Sequence, residues 1–221
     1  MAKYSPFSTR RLSDYVYEFN SMLDSEEDRY DIGIEENDTN NIISSLPSRI
    51  RDCKALVSFM EEKGFFTAPA STKWHGAYAG GLWAHSVCVA EQLRKLTDEH
   101  HVEWESSDSP EVIGLLHDLC KFAQYVFDAD GQITSNKAEK AKGHGFYSVA
   151  LLDELGFMLT TEERECILWH MGKWTVEPYY DLAHVQAGES AYTSFKEALD
   201  GVYNLRWVCG ADMIASHKIG T

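Results

Sequence analysis

The sequence predicts an all-α domain with one small β-hairpin, and three observations carry this prediction. Apolar residues recur at three- and four-residue spacing over most of the chain. Helix-start and helix-stop residues, such as Pro110 and Gly172, bracket these stretches. One short stretch, from Tyr125 to Thr134, instead has β-prone runs on both sides of an Asp-Ala-Asp-Gly turn, which is typical of a hairpin. With 221 residues, 44% of them hydrophobic, the chain is long enough for one compact domain with a peripheral extension.

Residues 1–42 are expected to form an acidic N-terminal extension to a domain that spans residues 43–221. The extension is rich in Asp, Glu, Asn and Ser, a composition typical of solvated loops. We expect its aromatic residues Tyr15, Tyr17 and Phe19 to anchor a helix against the domain. No stretch approaches the roughly 18 apolar residues of a membrane-spanning helix, and the start lacks a secretory pattern, so we expect a cytoplasmic protein.

Two core helices are predicted before residue 100. The first runs from Pro47 to Gly64, because glycine commonly follows the last helical residue. Its apolar positions at helical spacing are Ile50, Cys53, Leu56, Val57 and Met60. A glycine-rich loop, residues 65–81, then leads into a second helix that begins near Leu82 and carries His85.

The third predicted helix holds His117 and Asp118, the most informative pair in the chain. Ser109 is predicted as its N-cap and Pro110 as its first residue. Neighbouring residues of a helix point about 100° apart, so these two side chains face the same way only if something at the helix end draws both inward. A metal ion at the helix end would do this.

The second half of the chain is predicted to contain four more helices. They run from Gly143 to Gly156, from Glu162 to His170, from Ser190 to Leu199 and from Val202 to Ser216. Thr160 and Glu163 fit a capping box at the start of the second of these, and Gly172 ends it. The last one carries Asp212.

The net charge and the cysteine pattern exclude some ligands and some kinds of structural site. A formal net charge of -15 repels phosphate backbones and disfavours long nucleic acids as ligands. Four lysines either make the mouth of a cleft less negative or belong to a solvated loop; they are Lys137, Lys140, Lys142 and Lys173. The five cysteines occur singly in apolar runs, which indicates reduced core thiols rather than disulfides or a zinc knuckle.

Six potential metal ligands are spread over five helix-like apolar segments. They are His85, His117, Asp118, His144, His170 and Asp212. Each alone also fits a structural role, such as a core histidine or a histidine at a helix C-terminus. Jointly they indicate a shared centre, because buried unpaired histidines and aspartates are costly.

We expect this centre to hold two divalent transition metals. In one assignment the first is held by His85, His117, Asp118 and Asp212, and the second by His144, His170 and a bridging Asp118. A shell of histidines and carboxylates suits Fe, Mn, Zn, Co or Ni without choosing among them. A metal-bound hydroxide would then be the nucleophile.

At these residues the chain resembles the HD-domain metal-dependent phosphohydrolase superfamily, whose pattern is H…HD…D. It more narrowly resembles the subgroup with two extra histidines, as in the HD domain of exoribonuclease-type bacterial proteins. The resemblance covers about residues 45–217. The matching segments are Trp74-His-Gly-Ala-Tyr-Ala-Gly-Gly-Leu-Trp-Ala-His85-Ser, Leu115-Leu-His-Asp-Leu-Cys-Lys121, Gly143-His-Gly145, Ile167-Leu-Trp-His-Met-Gly172 and Ala211-Asp-Met213.

The resemblance implies a helical bundle around the metals and hydrolysis of phosphoester bonds, commonly in nucleotides. It gives catalytic roles to Asp118 and to Lys121, which would contact a substrate phosphate. Further candidate substrate-binding residues are His75, Trp74, Tyr78 and Lys173, with Trp74, Tyr78, Trp169 and Trp174 either forming an aromatic wall or belonging to the core.

Three functions remain open at this point. The exoribonuclease relatives carry an additional nucleic-acid-binding domain for which these 221 residues leave no room, and this favours a small nucleotide-like phosphoester or phosphoanhydride as substrate. A di-iron oxygenase with the same ligand shell is the second possibility. The third is a non-catalytic nucleotide-binding or partner-binding module that engages its partner through the acidic extension.

Overall fold

The computed structural model describes residues 39–136, 143–172 and 190–219. These residues are mostly helical, with one two-stranded hairpin, which confirms the predicted all-α class and its hairpin insertion. Among the described helices, none combines the length and the apolar character that crossing a bilayer requires.

The described residues form nine α-helices. They are, in chain order, α1 (Thr39–Ser45), α2 (Ser48–Asp52), α3 (Lys54–Glu62), α4 (Gly81–His100), α5 (Ser109–Leu116), α6 (His144–Glu154), α7 (Thr161–Trp169), α8 (Phe195–Gly201) and α9 (Leu205–Lys218). The last two begin later than predicted, because Ser194 rather than a residue near Ser190 caps α8, and Asn204 precedes α9. Ser190 instead donates a hydrogen bond to the buried Glu165, so it is used in tertiary packing.

A 3-10 helix and the hairpin follow α5 directly. The 3-10 helix is Leu119–Ala123, and the hairpin pairs β1 (Tyr125–Phe127) antiparallel with β2 (Ile133–Ser135). Asp128 accepts hydrogen bonds from the backbone N–H groups of Asp130 and Gln132 and so stabilises the predicted turn.

The first predicted core helix is wrong in one respect, since it is broken at Cys53. This residue leaves the helical region (φ −79°, ψ 86°), and separates α2 from α3. Ile50 and Leu56 explain the break. On one continuous helix, side chains six residues apart would point about 120° away from each other, yet both are fully buried. The break therefore allows both short helices to face the same core.

The long helix α4 is central to the core and packs against α5 and α9, while α6 packs against α7 and the 3-10 helix. The largest fully buried side chains include Trp169, Phe65, Ile50, Leu56, Met60, Leu82, Leu93, Ile113, Leu116 and Ile167.

The start of α7 shows the predicted capping box. Thr160 accepts a hydrogen bond from the Glu163 N–H at 3.1 Å, and Glu163 accepts one from the Thr160 N–H at 2.8 Å. Glu163 is also fully buried and binds both guanidinium nitrogens of Arg49, at 2.7 and 2.6 Å. The carboxylate therefore joins α7 to α2.

The start of α5 differs from the prediction. The helix begins at Ser109 itself, so Asp108 holds the N-cap position and makes no side-chain capping hydrogen bond. The Ser109 hydroxyl instead donates to Glu163 at 2.8 Å. The Ser109 side chain, which the sequence predicts as an N-cap, therefore binds a residue from another helix instead.

Candidate metal centre

His117 and Asp118 lie where α5 ends and the 3-10 helix begins. His117 keeps helical backbone angles (φ −56°, ψ −36°), whereas Asp118 leaves them (φ −107°, ψ 19°). The predicted helix therefore stops just short of the two residues it was expected to hold. Because the chain changes direction here, the neighbouring side chains meet, with 3.3 Å between His117 Nε2 and Asp118 Oδ2.

His85 reaches the same point from α4. Its Nε2 atom lies 3.3 Å from His117 Nε2 and 3.6 Å from Asp118 Oδ2. Gly114 makes this approach of α4 and α5 possible, since a Cβ atom there would lie 2.3 Å from the Cα atom of Ala90. The close contact between the two helices thus positions two candidate ligands.

His117 and His170 are oriented by the same local device. Each is the C-cap residue of its helix, and its Nδ1 atom hydrogen-bonds the carbonyl three residues earlier, Gly114 at 2.9 Å and Ile167 at 2.7 Å. A carbonyl accepts, so Nδ1 carries a proton, and in the neutral imidazole Nε2 keeps its lone pair. Both Nε2 atoms are therefore available as metal ligands.

Asp212, on α9, completes the cluster. Its Oδ1 atom lies 3.1 Å from His85 Nε2 and 4.0 Å from His117 Nε2. The described residues contain two overlapping groups of candidate ligands, and within each group the ligand atoms lie within 4.8 Å of one another. One group is His85, His117 and Asp118, and the other is His117, His170 and Asp212. The structure thus brings together five of the six candidate ligands.

Unpartnered buried atoms indicate that this cluster fits a metal. Asp118 Oδ1 and His170 Nε2 are buried without a hydrogen bond and lie 3.5 Å apart. Inside a protein such atoms are costly unless a further group binds them. A nitrogen and oxygen donor set of this kind is what divalent transition metals prefer.

Lys121 is a buried cation one turn beyond Asp118. Its Nζ atom donates to Asp118 Oδ2 at 2.6 Å. Burial opposes ionisation of both groups, but their mutual attraction outweighs it, so the pKa of Lys121 is raised and that of Asp118 lies well below its usual range. Burial is likewise outweighed at Asp212, where the hydrogen bond and charge of His85 lower the carboxyl pKa.

His75 lies beside the cluster without joining it. Its ring centroid is 5.0 Å from that of His85. Burial, reinforced by the charges of His85 and Lys121, lowers the pKa of His75 to about 4. The ring is therefore neutral near pH 7.

The other predicted substrate residues occupy different environments. Trp74 precedes His75 and is 65% exposed, whereas Tyr78 is half-buried against the core. Trp169 is fully buried and donates to Glu165 and Ser190, so it belongs to the core rather than to an aromatic wall. Lys173, Trp174 and the lysines between 137 and 142 lie outside the described residues.

His144 is the first residue of α6 and is half-buried. Its side chain is absent from the two ligand groups found among the described residues. Its backbone carbonyl accepts a hydrogen bond at 3.2 Å from the thiol of Cys120, two residues after Asp118. The role of His144 as a ligand stays a prediction.

Two cysteines support the candidate ligands, a role that the sequence reasoning missed. Cys120 contacts His144 as described, and the Cys209 thiol donates to the carbonyl of His170 at 3.3 Å. Cys120 lies two residues after Asp118, and Cys209 lies three residues before Asp212. This proximity in sequence is the only signal that could have identified them. All five cysteines are free thiols in the structure.

Comparison with known proteins identifies the family. The family model described as the HD domain matches residues 82–200, more than half of the chain. The comparisons with curated proteins and with solved structures found no match. The matched segment carries the His85, His117, Asp118 and His170 cluster described above. The chain therefore belongs to the HD domain family, which implies the superfamily of metal-dependent phosphohydrolases.

Proposed function

We propose that this protein hydrolyses a phosphoester or phosphoanhydride bond in a small nucleotide-like substrate. The observation that carries the proposal is the convergence of five buried or half-buried histidine and aspartate side chains beside a buried lysine. Metal-dependent phosphohydrolysis uses a centre that binds metal, and an additional positive charge stabilises the phosphoryl oxygens. This cluster offers both.

One metal would be held by His85, His117, Asp118 and Asp212, and a second by His170, His144 and Asp118, which the two metals would share. The proximity of Asp118 Oδ1 to His170 Nε2, at 3.5 Å, supports this shared role of Asp118. When bound, divalent metals polarise a phosphoryl oxygen and lower the pKa of a coordinated water.

Lys121 is proposed to stabilise the negative charge that accumulates on the phosphoryl group. The residue is 8% exposed and its ammonium is fixed by Asp118, so it needs little reorganisation when the substrate arrives. In these buried surroundings a fixed charge acts more strongly than it would in water.

The small-substrate assignment rests on charge. With a formal net charge of -15, the surface repels a long polyanion, whereas a mononucleotide or dinucleotide needs only a local cation. Dinucleoside polyphosphates and cyclic dinucleotides meet this condition as well.

The test is a hydrolysis screen of nucleotides, cyclic dinucleotides and dinucleoside polyphosphates after chelation and reconstitution with Mn, Fe, Co, Ni or Zn. We expect metal-dependent release of phosphate or nucleotide that is unchanged under anaerobic conditions. Lys121→Met keeps most of the apolar stem and removes the charge, so it should retain metal but lose roughly a hundredfold or more in kcat.

Two outcomes would overturn the proposal. Turnover that requires oxygen would assign the centre to oxygenation. Stoichiometric nucleotide binding without product on prolonged incubation would assign it to a non-catalytic binding module.

A further inference from the structure

An exposed indole belongs to the residue that immediately precedes His75, the neighbour of the candidate metal centre. Trp74 exposes 65% of its surface, an unusual state for the largest apolar side chain. The ring centroid of the next residue, His75, lies 5.0 Å from that of the candidate ligand His85, with the two rings tilted by 38°. Because consecutive Cα atoms are only about 3.8 Å apart, Trp74 begins next to the residue that borders the cluster.

The loop that carries Trp74 is fixed against the helix that carries His85. The Trp74 N–H donates to the Ser71 hydroxyl at 2.8 Å, and the Ala70 N–H donates to the Gly76 carbonyl at 2.9 Å. Gly81, the first residue of α4, lies so close to this loop that a Cβ atom there would be 2.0 Å from the Gly76 oxygen. The indole is therefore attached to a compact loop with little freedom relative to the metal centre.

Lys73 supplies a cation to the same indole. Its ammonium lies 5.3 Å from the centroid of the Trp74 ring, within the range of a cation–π contact. In a chain with a formal charge of -15, this places a local positive charge beside an accessible aromatic surface. A planar base stacks on such a surface, while the adjacent ammonium attracts the phosphate attached to it.

We propose that Lys73 and Trp74 form a platform that binds the aromatic base of the substrate while its phosphate reaches the metal centre. This inference rests on the proposed function and specifies its substrate class. The substrate is a nucleotide, rather than a sugar phosphate or another phosphoester without an aromatic ring.

The test compares adenosine 5′-monophosphate with ribose 5-phosphate, which lacks the base. In the Mn-loaded protein, Trp74→Ala should reduce the ratio of their kcat/KM values by roughly tenfold or more, because stacking on an aromatic residue contributes selectively to the base-bearing substrate. Trp74→Phe retains a stacking surface and should restore most of the ratio. Tyr203→Ala is the matched control. Tyr203 is also an exposed aromatic residue, with its ring centroid 4.4 Å from Cζ of the Arg206 guanidinium, but it is remote in sequence from the loop. It should leave the ratio unchanged.

Binding gives a second readout that does not need turnover. Adenosine 5′-monophosphate should quench part of the tryptophan fluorescence of the Mn-loaded wild type, and Trp74→Phe should abolish that part of the quenching. Equal losses for both ligands in Trp74→Ala, or equal affinity of the wild type for both, would overturn the platform. If neither ligand is hydrolysed but the fluorescence results hold, the proposed function fails while the platform stands.

Discussion

Asp118 uses its two carboxylate oxygens differently. Oδ2 accepts a hydrogen bond from Lys121 at 2.6 Å, whereas Oδ1 is buried without one and faces His170 Nε2 at 3.5 Å. An unsatisfied buried acceptor costs about 1–3 kcal/mol, so this arrangement favours a partner that the polypeptide does not supply. A cation bound by both residues would satisfy the carboxylate oxygen and the imidazole lone pair together.

His75 provides a prediction about pH. In chelated, metal-free protein, the free energy of unfolding of the wild type should fall relative to that of His75→Gln as the pH decreases from about 6.5 towards 4. The pKa of His75 is lowered from 6.5 to about 4 by burial and then by nearby charge, so over this interval the unfolded state binds a proton that the folded state does not. The contribution of neutral His75 to the free energy of unfolding is therefore fully present above the unfolded pKa. It is lost as the pH falls towards the folded pKa, and the loss is at most about 3 kcal/mol.

Urea denaturation at several pH values measures this difference. His217→Gln is the control, because His217 is exposed on the last turn of α9. Its curve should stay parallel to that of the wild type. Parallel curves for His75→Gln and the wild type would show that the environment of His75 is not as described.

At the scale of elements, the contact between α4 and α5 depends on Gly114. Gly114→Ala should lower the free energy of unfolding by roughly 1–3 kcal/mol, because its Cβ atom would lie 2.3 Å from the Ala90 Cα atom. This loss would appear even though alanine normally favours a helix interior over glycine. Ala90→Gly should not rescue the variant, since the clash involves the backbone. Wild-type stability in Gly114→Ala, measured by chemical denaturation, would disprove the close approach.

The start of α7 gives a second prediction at this scale. Glu163→Ala should cost roughly 3–5 kcal/mol in unfolding free energy, because it leaves the Arg49 guanidinium without its buried partner and removes the capping box. Asp108→Ala removes the other, more exposed carboxylate bound to Arg49 and should cost about 1 kcal/mol or less. Thermal or urea unfolding distinguishes the two. Similar losses would mean that the burial of Glu163 contributes little.

The ends of a helix can be predicted from the sequence when the residues that fix them are close together in the chain. Thr160 and Glu163 are three residues apart, so their capping box was visible in the sequence. The break at Cys53 depends on a core shared by distant segments. The Ser109 hydroxyl is likewise taken by Glu163, 54 residues away. Neither the break nor this hydrogen bond can be predicted from the residues adjacent in sequence.

For the whole molecule, the candidate site was more predictable than the helix ends. The residue types and the spacing of His85, His117, Asp118, His170 and Asp212 indicated a shared centre, and the structure brings these five together. His144 was grouped with them by sequence, but its side chain is not in either ligand group of the described residues. The thiol contacts of the cysteines required the assembled fold.

The domain organisation predicted from the sequence separates residues 1–42 from residues 43–221. The division at residue 42 stays a prediction. In the structure, α1 begins at Thr39, and Ile42 and Ile43 pack against the core. The start of the described chain is therefore part of the packed helical unit.

Metal content and hydrolysis, measured on the same preparations of wild type and Asp118→Asn, test the central claim most directly. Asparagine keeps the shape of the side chain but removes the charge that a bridging ligand needs. We predict about two transition metals per wild-type chain and about one per chain in His144→Gln. A folded Asp118→Asn protein should lose its bound metal and its hydrolytic activity. A folded Asp118→Asn protein that keeps the wild-type metal content and rate would contradict the account.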